Sequence, residues 1–234
     1  ARMNKFKLYT KYDMGMKNKK AILAQVPKEY IDDEDVTVLL AFDNVMNSNR
    51  WTIDNPDVKH SAEQPLRINI NHMKTMENGM APIAGTAVWA GKVNVPQQDG
   101  SESKGVAIAM KFVENQIGWH WKDLVKAKAV TEVSIEATPD PDCEPYGMNA
   151  EGNRCKKGEA AVGIVYPKGT ITACSLLSQE GAVRGASILK ACEGGEAEIP
   201  DTDKTQNDTN SVEAHMLALE IEVADLKAMV IQNI

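Results

Sequence analysis

What most limits the folds open to this chain is a succession of short apolar and β-branched runs, separated by turn formers, with little sustained helical periodicity before the C-terminal end. Side chains on a strand alternate between faces, so runs of this length and period read as strands. The pattern predicts strands at residues 21–25, 36–42, 66–71, 83–90, 106–113, 129–137, 160–166 and 170–177. Residues 119–126 ("WHWKDLVK") have helical spacing instead, with Trp121, Leu124 and Val125 on one face. Residues 182–191 ("AVRGASILKA") give a second short helix. Many short strands with few helices predict a mainly β fold with flanking helices (α+β), a barrel or sandwich decorated by helices.

The rest of the chain divides by charge. Arg2, Lys5, Lys7, Lys11, Lys17, Lys19 and Lys20 make residues 1–20 a basic extension, and residues 21–192 hold the strands. Residues 193–211 ("EGGEAEIPDTDKTQNDTNS") lack aromatics and are crowded with carboxylates and turn formers, the composition of a flexible acidic linker. Beyond it, Val212, Met216, Leu219, Val223, Leu226 and Val230 recur at alternating spacings of four and three, with Ser211 or Asn210 available as N-cap. Residues 212–234 therefore read as an amphipathic helix, either pairing with another chain as a coiled coil or docking on its own domain.

A net charge of −7 argues against nucleic acid as the main partner. No apolar run approaches the roughly 20 residues of a membrane-spanning helix, and the start carries no apolar secretory segment, so the expected location is a cytoplasm. Cys143, Cys155, Cys174 and Cys192 form no close Cys-x-x-Cys pair, which leaves no zinc or redox signature. Free thiols are the reading for a reducing compartment, with a Cys143–Cys155 disulfide the alternative in an oxidising one. The run at 140–155 ("DPDCEPYGMNAEGNRC") does not match the spacing of a calcium loop and reads as a long hairpin insertion. No cofactor and no metal are expected.

Two stretches carry chemistry. In "VTEVSIEA", Val133, Ile135 and Ala137 point one way, and Glu132, Ser134 and Glu136 the other. The apolar set faces the core, so the pattern places Ser134 on an open polar face. In "RININ" followed by His72, Leu66, Ile68 and Ile70 share the parity of the histidine. That places His72 at the end of a buried rail, where partial burial would keep an imidazole neutral and competent as a base. His60, His120 and His215 are weaker candidates, and no Cys–His spacing recommends a thiol enzyme built on Cys143 or Cys174.

The order "INH", a loop, "IAGTA", the strand "GVAIAMKF", a short helix and then "VTEVSIEA" resembles the tailed-phage prohead (capsid maturation) proteases, which group with the herpesvirus assemblin-like serine proteases. The resemblance covers roughly residues 36–191 and rests on ordered short motifs. It implies an assemblin-like β-barrel protease domain followed by a linker and a C-terminal scaffold-like helix, with Ser134 as nucleophile and His72 as general base. It also implies an oxyanion region after the third-residue strand, around Gly181, Arg184 and Gly185. There Arg184 either orients a water or backbone group or is a surface arginine beside a turn.

The third member is open. The matching position falls at or near Ala173, which cannot orient an imidazole. Glu159, Asp140 or Glu180 would supply the carboxylate, or the site works as a Ser–His dyad. The activity implied is endopeptidase cleavage of phage scaffold, of the chain itself and of major-capsid-protein extensions, inside a procapsid assembling in the host cytoplasm. Self-association through the C-terminal helix is expected, with neither nucleic acid nor membrane as partner. The alternative is a scaffold or assembly protein on a protease-like fold whose catalytic set has eroded.

Overall fold

The computed structural model describes residues 16–42, 50–73, 82–96, 100, 102–150, 153–156, 161–178 and 186–192. The part of the basic extension before residue 16, the linker expected at 193–211 and the helix expected at 212–234 lie outside the described residues. Described in chain order are α1 (Met16–Leu23), α2 (Lys28–Asp32), β1 (Thr37–Phe42), β2 (Trp51–Ile53), β3 (Asp57–Val58), β4 (Arg67–Ile70), β5 (Ile83–Pro96) and β6 (Glu102–Phe112). After them come α3 (Gln116–Lys126), β7 (Glu132–Pro139), β8 (Tyr146–Met148), β9 (Arg154–Cys155), β10 (Gly163–Tyr166), β11 (Gly169–Leu177) and β12 (Ser187–Lys190).

The larger sheet runs β11-β4-β5-β6-β1-β12-β7 and closes when β7 pairs back onto β11, giving a seven-strand barrel with β3 appended to β11. The neighbours pair antiparallel except β4 and β3, which run parallel to β11. A second sheet, β2-β10-β8-β9, sits apart from the barrel order and contains the hairpin formed by the insertion at 140–155. In that hairpin Arg154 lies over the Tyr146 ring, 4.4 Å from its centroid.

The mainly β expectation holds, and its exceptions have physical causes. Residues 21–25 are not a strand: α1 ends within them, and Ile22 and Val26 are buried four residues apart, a helical spacing rather than period two. Gln25 then ties this end to β5, donating to the Asn94 carbonyl at 2.8 Å and accepting the Asn94 N–H at 2.9 Å. Of the helix expected at 182–191, residues 187–190 are instead β12, which pairs with β1, and residues 182–185 lie outside the described residues. All four β12 residues are buried, so the alternation that marks a strand is erased there.

The helix expected at 119–126 is present and starts earlier. Asn115 caps α3 by accepting the Gly118 N–H at 2.9 Å, and Trp121 and Val125 are buried as their spacing requires. No helix among the described residues is long and apolar enough to cross a membrane.

Core residues come from every barrel strand. On β6, Val106, Ile108 and Met110 alternate with Ala107 and Ala109, and all five are fully buried, so this strand is covered on both faces. The hairpin of β5 and β6 comes close enough that a Cβ at Gly85 would stand 2.4 Å from the Lys111 carbonyl oxygen, which explains a glycine there.

On β11, Ile171, Cys174 and Leu176 enter the core together because a bulge between Ile171 and Ala173 shifts the alternation by one. Leu176 is paired with Ile70 on one side and Val133 on the other. Leu176→Ala is expected to destabilise the fold by about 2–4 kcal/mol through the cavity it leaves. Urea denaturation measures this, and a loss below about 1 kcal/mol would contradict the central place given to β11.

Candidate functional site

The same bulge that sends Cys174 and Leu176 inward turns Ala173 and Ser175 to the opposite face of β11. In register, Ser175 lies between Asn69 of β4 and Ser134 of β7, and Ala173 lies between Arg67 and Glu136. Paired positions present their side chains to the same side of a sheet. Three adjacent strands thus build a polar patch of two rows, Asn69–Ser175–Ser134 and Arg67–Ala173–Glu136, back to back with the core.

His72 follows β4 by two residues. Simple parity puts it with Ile68 and Ile70, facing the core. Instead Asn71 and His72 both take left-handed backbone conformations, with φ of 48° and 56°. Two such residues in succession break the strand alternation and swing the imidazole to the polar face. Asparagine is among the residues best suited to that conformation, and here it is locked on both sides. Asn71 Nδ2 donates to Ser178 Oγ at 3.0 Å, and the Ser178 N–H donates to Asn71 Oδ1 at 2.9 Å. The end of β4 is thereby bolted to the end of β11.

The result places His72 Nδ1 3.5 Å from Glu136 Oε1, with the His72 side chain 41% exposed and that of Glu136 26% exposed. The expected buried rail is present in Leu66, Ile68 and Ile70. His72 does not continue it, because the left-handed turn intervenes.

Glu136 Oε1 also accepts from Asn69 Nδ2 at 2.8 Å and from Ser175 Oγ at 2.9 Å. The neighbouring His72 is the largest influence holding this carboxyl down to about 2, against partial burial, which pushes it up; the Asn69 and Ser175 hydrogen bonds add to the depression. Asn69 is itself buried, and its Oδ1 has no hydrogen-bond partner among the described residues.

Ser134 shares a face with Glu136 two residues along β7. It is only 9% exposed, more enclosed than the open polar face expected from alternation alone. The cause is the flanking strand: β11 runs beside it with Ser175, fully buried, directly across.

Of the other candidates, Asp140 lies past the end of β7. Its carboxylate accepts the Asp142 N–H at 2.9 Å and shapes the following turn, while its own N–H donates to the Lys168 carbonyl at 3.1 Å. The structure brings Glu136, rather than Asp140, to His72. Glu159 and Glu180 lie outside the described residues, as do Gly181, Arg184 and Gly185.

His60 Nδ1 accepts the Leu66 N–H at 3.3 Å, and His120 belongs to α3. All four cysteines are free thiols. Cys174 is on the core face, where burial pushes its thiol up to about 12 and disfavours the thiolate a nucleophile needs. Among the described residues no group of histidine, cysteine and carboxylate side chains is arranged to hold a metal.

The sequence reading missed Glu136, Asn69 and Ser175. Glu136 was visible by parity as a neighbour of Ser134 on one strand face. The outward placement of Ser175 was not, because it depends on the β11 bulge. Comparison with protein-family models, with curated proteins and with solved structures finds no match.

The Glu136 carboxyl makes a directional prediction about pH. Its folded-state value lies below that of an unfolded glutamate. The ionised group therefore stabilises the fold fully above the ordinary glutamate range of about pH 4–5, and that contribution is lost as pH falls toward 2. Its size is about 1–3 kcal/mol. Between pH 6 and about pH 2.5, the wild type is expected to lose that much more unfolding free energy than Glu136→Gln, as read by urea titration at each pH. A constant offset between the two proteins across the range would refute it.

Proposed function

We propose that this chain is a serine endopeptidase of phage capsid maturation, with Ser134 as nucleophile, His72 as general base and Glu136 as the acid that orients the base. One observation carries the reading: the His72 Nδ1 contact with a carboxylate on the same strand face as Ser134. An acid held against Nδ1 fixes the tautomer and leaves Nε2 to face a hydroxyl, the division of labour in a serine triad. Ser134 and Glu136 are two residues apart on β7, a separation of about 6.5 Å, which a ring bonded at both nitrogens spans. The resemblance to prohead proteases puts the third member at or near Ala173, and Glu136 is the cross-strand partner of Ala173. A carboxylate supplied from the adjacent strand, on the face shared by position 173, supports this assignment. A small residue at 173 leaves it room.

In the proposed reaction, His72 takes the Ser134 proton as Oγ attacks the scissile carbonyl carbon. The resulting imidazolium is stabilised by the ionised Glu136 and passes the proton to the leaving amine as the C–N bond breaks. Water then attacks the acyl carbon as His72 takes its proton; the acyl C–Oγ bond breaks, His72 returns the proton to Oγ, and the acid product leaves. Backbone N–H groups around Gly181, Arg184 and Gly185 are the proposed donors to the oxyanion. The proposed substrates are phage scaffold, the chain's own tail and major-capsid-protein extensions. The proposed setting is a procapsid in the host cytoplasm, with self-association through the helix at 212–234.

The low exposure of Ser134 favours a second reading, a protease-like scaffold or assembly protein in which the set persists without turnover. A serine-directed phosphonate separates the two: labelling at Ser134 supports the enzyme, and an unlabelled folded protein supports the scaffold.

Intact-mass analysis after incubating the purified full chain with scaffold protein tests the activity. Wild type is expected to cut. Ser134→Ala and His72→Ala should each lose cleavage by a comparable factor, since the two act as a unit. Glu136→Gln should retain the fold while slowing cleavage by about 10²–10⁴. Continued cleavage by Ser134→Ala, or full activity of Glu136→Gln, would sink the corresponding assignment.

A further inference from the structure

We infer that Asn69 and Ser175 are positioning residues, a two-strand clamp that fixes the Glu136 carboxylate against His72; their role in turnover rests on the protease reading above. Both donors meet the same oxygen, Asn69 Nδ2 at 2.8 Å and Ser175 Oγ at 2.9 Å, whereas His72 Nδ1 stands off at 3.5 Å. The clamp, not the histidine, therefore sets where the carboxylate sits. The two donors come from β4 and β11, on consecutive positions of one cross-strand row, so rotating the carboxylate breaks its bonds to two strands at once.

The asparagine is specialised for this role. Its amide is buried, with Oδ1 lacking a partner among the described residues. An amide in that position would ordinarily satisfy both ends, or be replaced by an apolar side chain. Turning it over would set an oxygen against the carboxylate, so the Glu136 contact dictates its orientation. Ser175 is specialised too: only the bulge before it brings its hydroxyl to this side of the sheet.

The titratable or charged groups placed on this face around Glu136 are His72 and Arg67 from the β4 side and Glu132 on its own strand. On β11 the facing residues are Ala173 and Ser175, neither charged, and the Cys174 thiol is on the opposite face. Loss of a clamp donor should therefore free the carboxylate to drift and to take up a proton more readily.

The test uses the full chain in two readouts. In a Ser134→Ala background, which prevents self-cleavage, the Glu136 carboxyl is titrated by carbon NMR. Asn69→Ala and Ser175→Ala are each expected to move its midpoint up toward the ordinary glutamate range, and Ser175→Thr, which keeps the hydroxyl, to restore it. In the Ser134-containing chain, kcat is expected to fall about 10-fold or more in each alanine variant, with KM within about twofold.

An unmoved Glu136 midpoint in both alanine variants overturns the clamp whatever the activity. A moved midpoint with unchanged kcat overturns its positioning role. A moved midpoint in a protein that never cleaves, wild type included, supports the hold on the carboxylate and overturns the protease reading instead.

Discussion

The pairing of β11 with β7 on one edge and with β4 on the other is the constraint from which the rest of this structure follows. It closes the barrel, since without the β11–β7 ladder the sheet would end in two open edges. It also determines what stands beside Ser134. One strand carries Cys174 and Leu176 into the core and Ser175 out to the polar patch, a division made by a single bulge. A bulge adds one residue to one strand, so every side chain after it changes face relative to those before it. Closure and site are consequences of one register, and a slip of one residue in β11 would exchange Ser175 with a core residue while exposing Leu176.

Against that rigid frame, the polar patch carries several costs that packing alone does not explain. A buried amide oxygen without a partner costs about 1–3 kcal/mol, and each residue held in a left-handed conformation about 1 kcal/mol or more. These are large amounts beside a net stability of about 5–15 kcal/mol for a domain. They converge on one carboxylate and one imidazole: Asn69 leaves its oxygen without a partner among the described residues while donating to Glu136, and Asn71 with His72 takes the turn that brings the ring to it.

Much of this architecture was legible in the sequence. Period-two runs located β1, β4, β5, β6, β7, β10 and β11 within a few residues at most ends, and parity put Val133 and Ile135 on the core side, apart from Ser134 and Glu136. What stayed hidden shares a physical origin. Strand β12 is buried at every position, so it carries no alternation to read. The left-handed turn at Asn71 and His72 and the bulge before Ala173 each reset parity over one or two residues, with no glycine or proline to announce them. Parity extrapolated across those points sent His72 toward the core and left Ser175 unremarked. Sequence patterns describe a strand well as long as it stays regular, and the residues of this patch sit where the strands depart from regularity.

The proposed exchange of roles between positions 173 and 136 is compatible with sheet geometry. Two residues paired across adjacent strands share a face, with Cβ atoms about 5 Å apart, less than the reach of a glutamate side chain. An orienting carboxylate can therefore move from one strand to its neighbour without displacing the group it orients, provided the vacated position shrinks. Here position 173 is alanine, and the glutamate opposite it points its Oε1 at His72. Moving the acid onto the strand of the serine has a further consequence in the proposed enzyme. Nucleophile and acid become parts of one rigid segment at a fixed two-residue spacing, so only the histidine must be placed by a separate element. That element is the Asn71–His72 turn, and its hydrogen bonds to Ser178 anchor it to β11, the strand against which the serine and the acid are already registered.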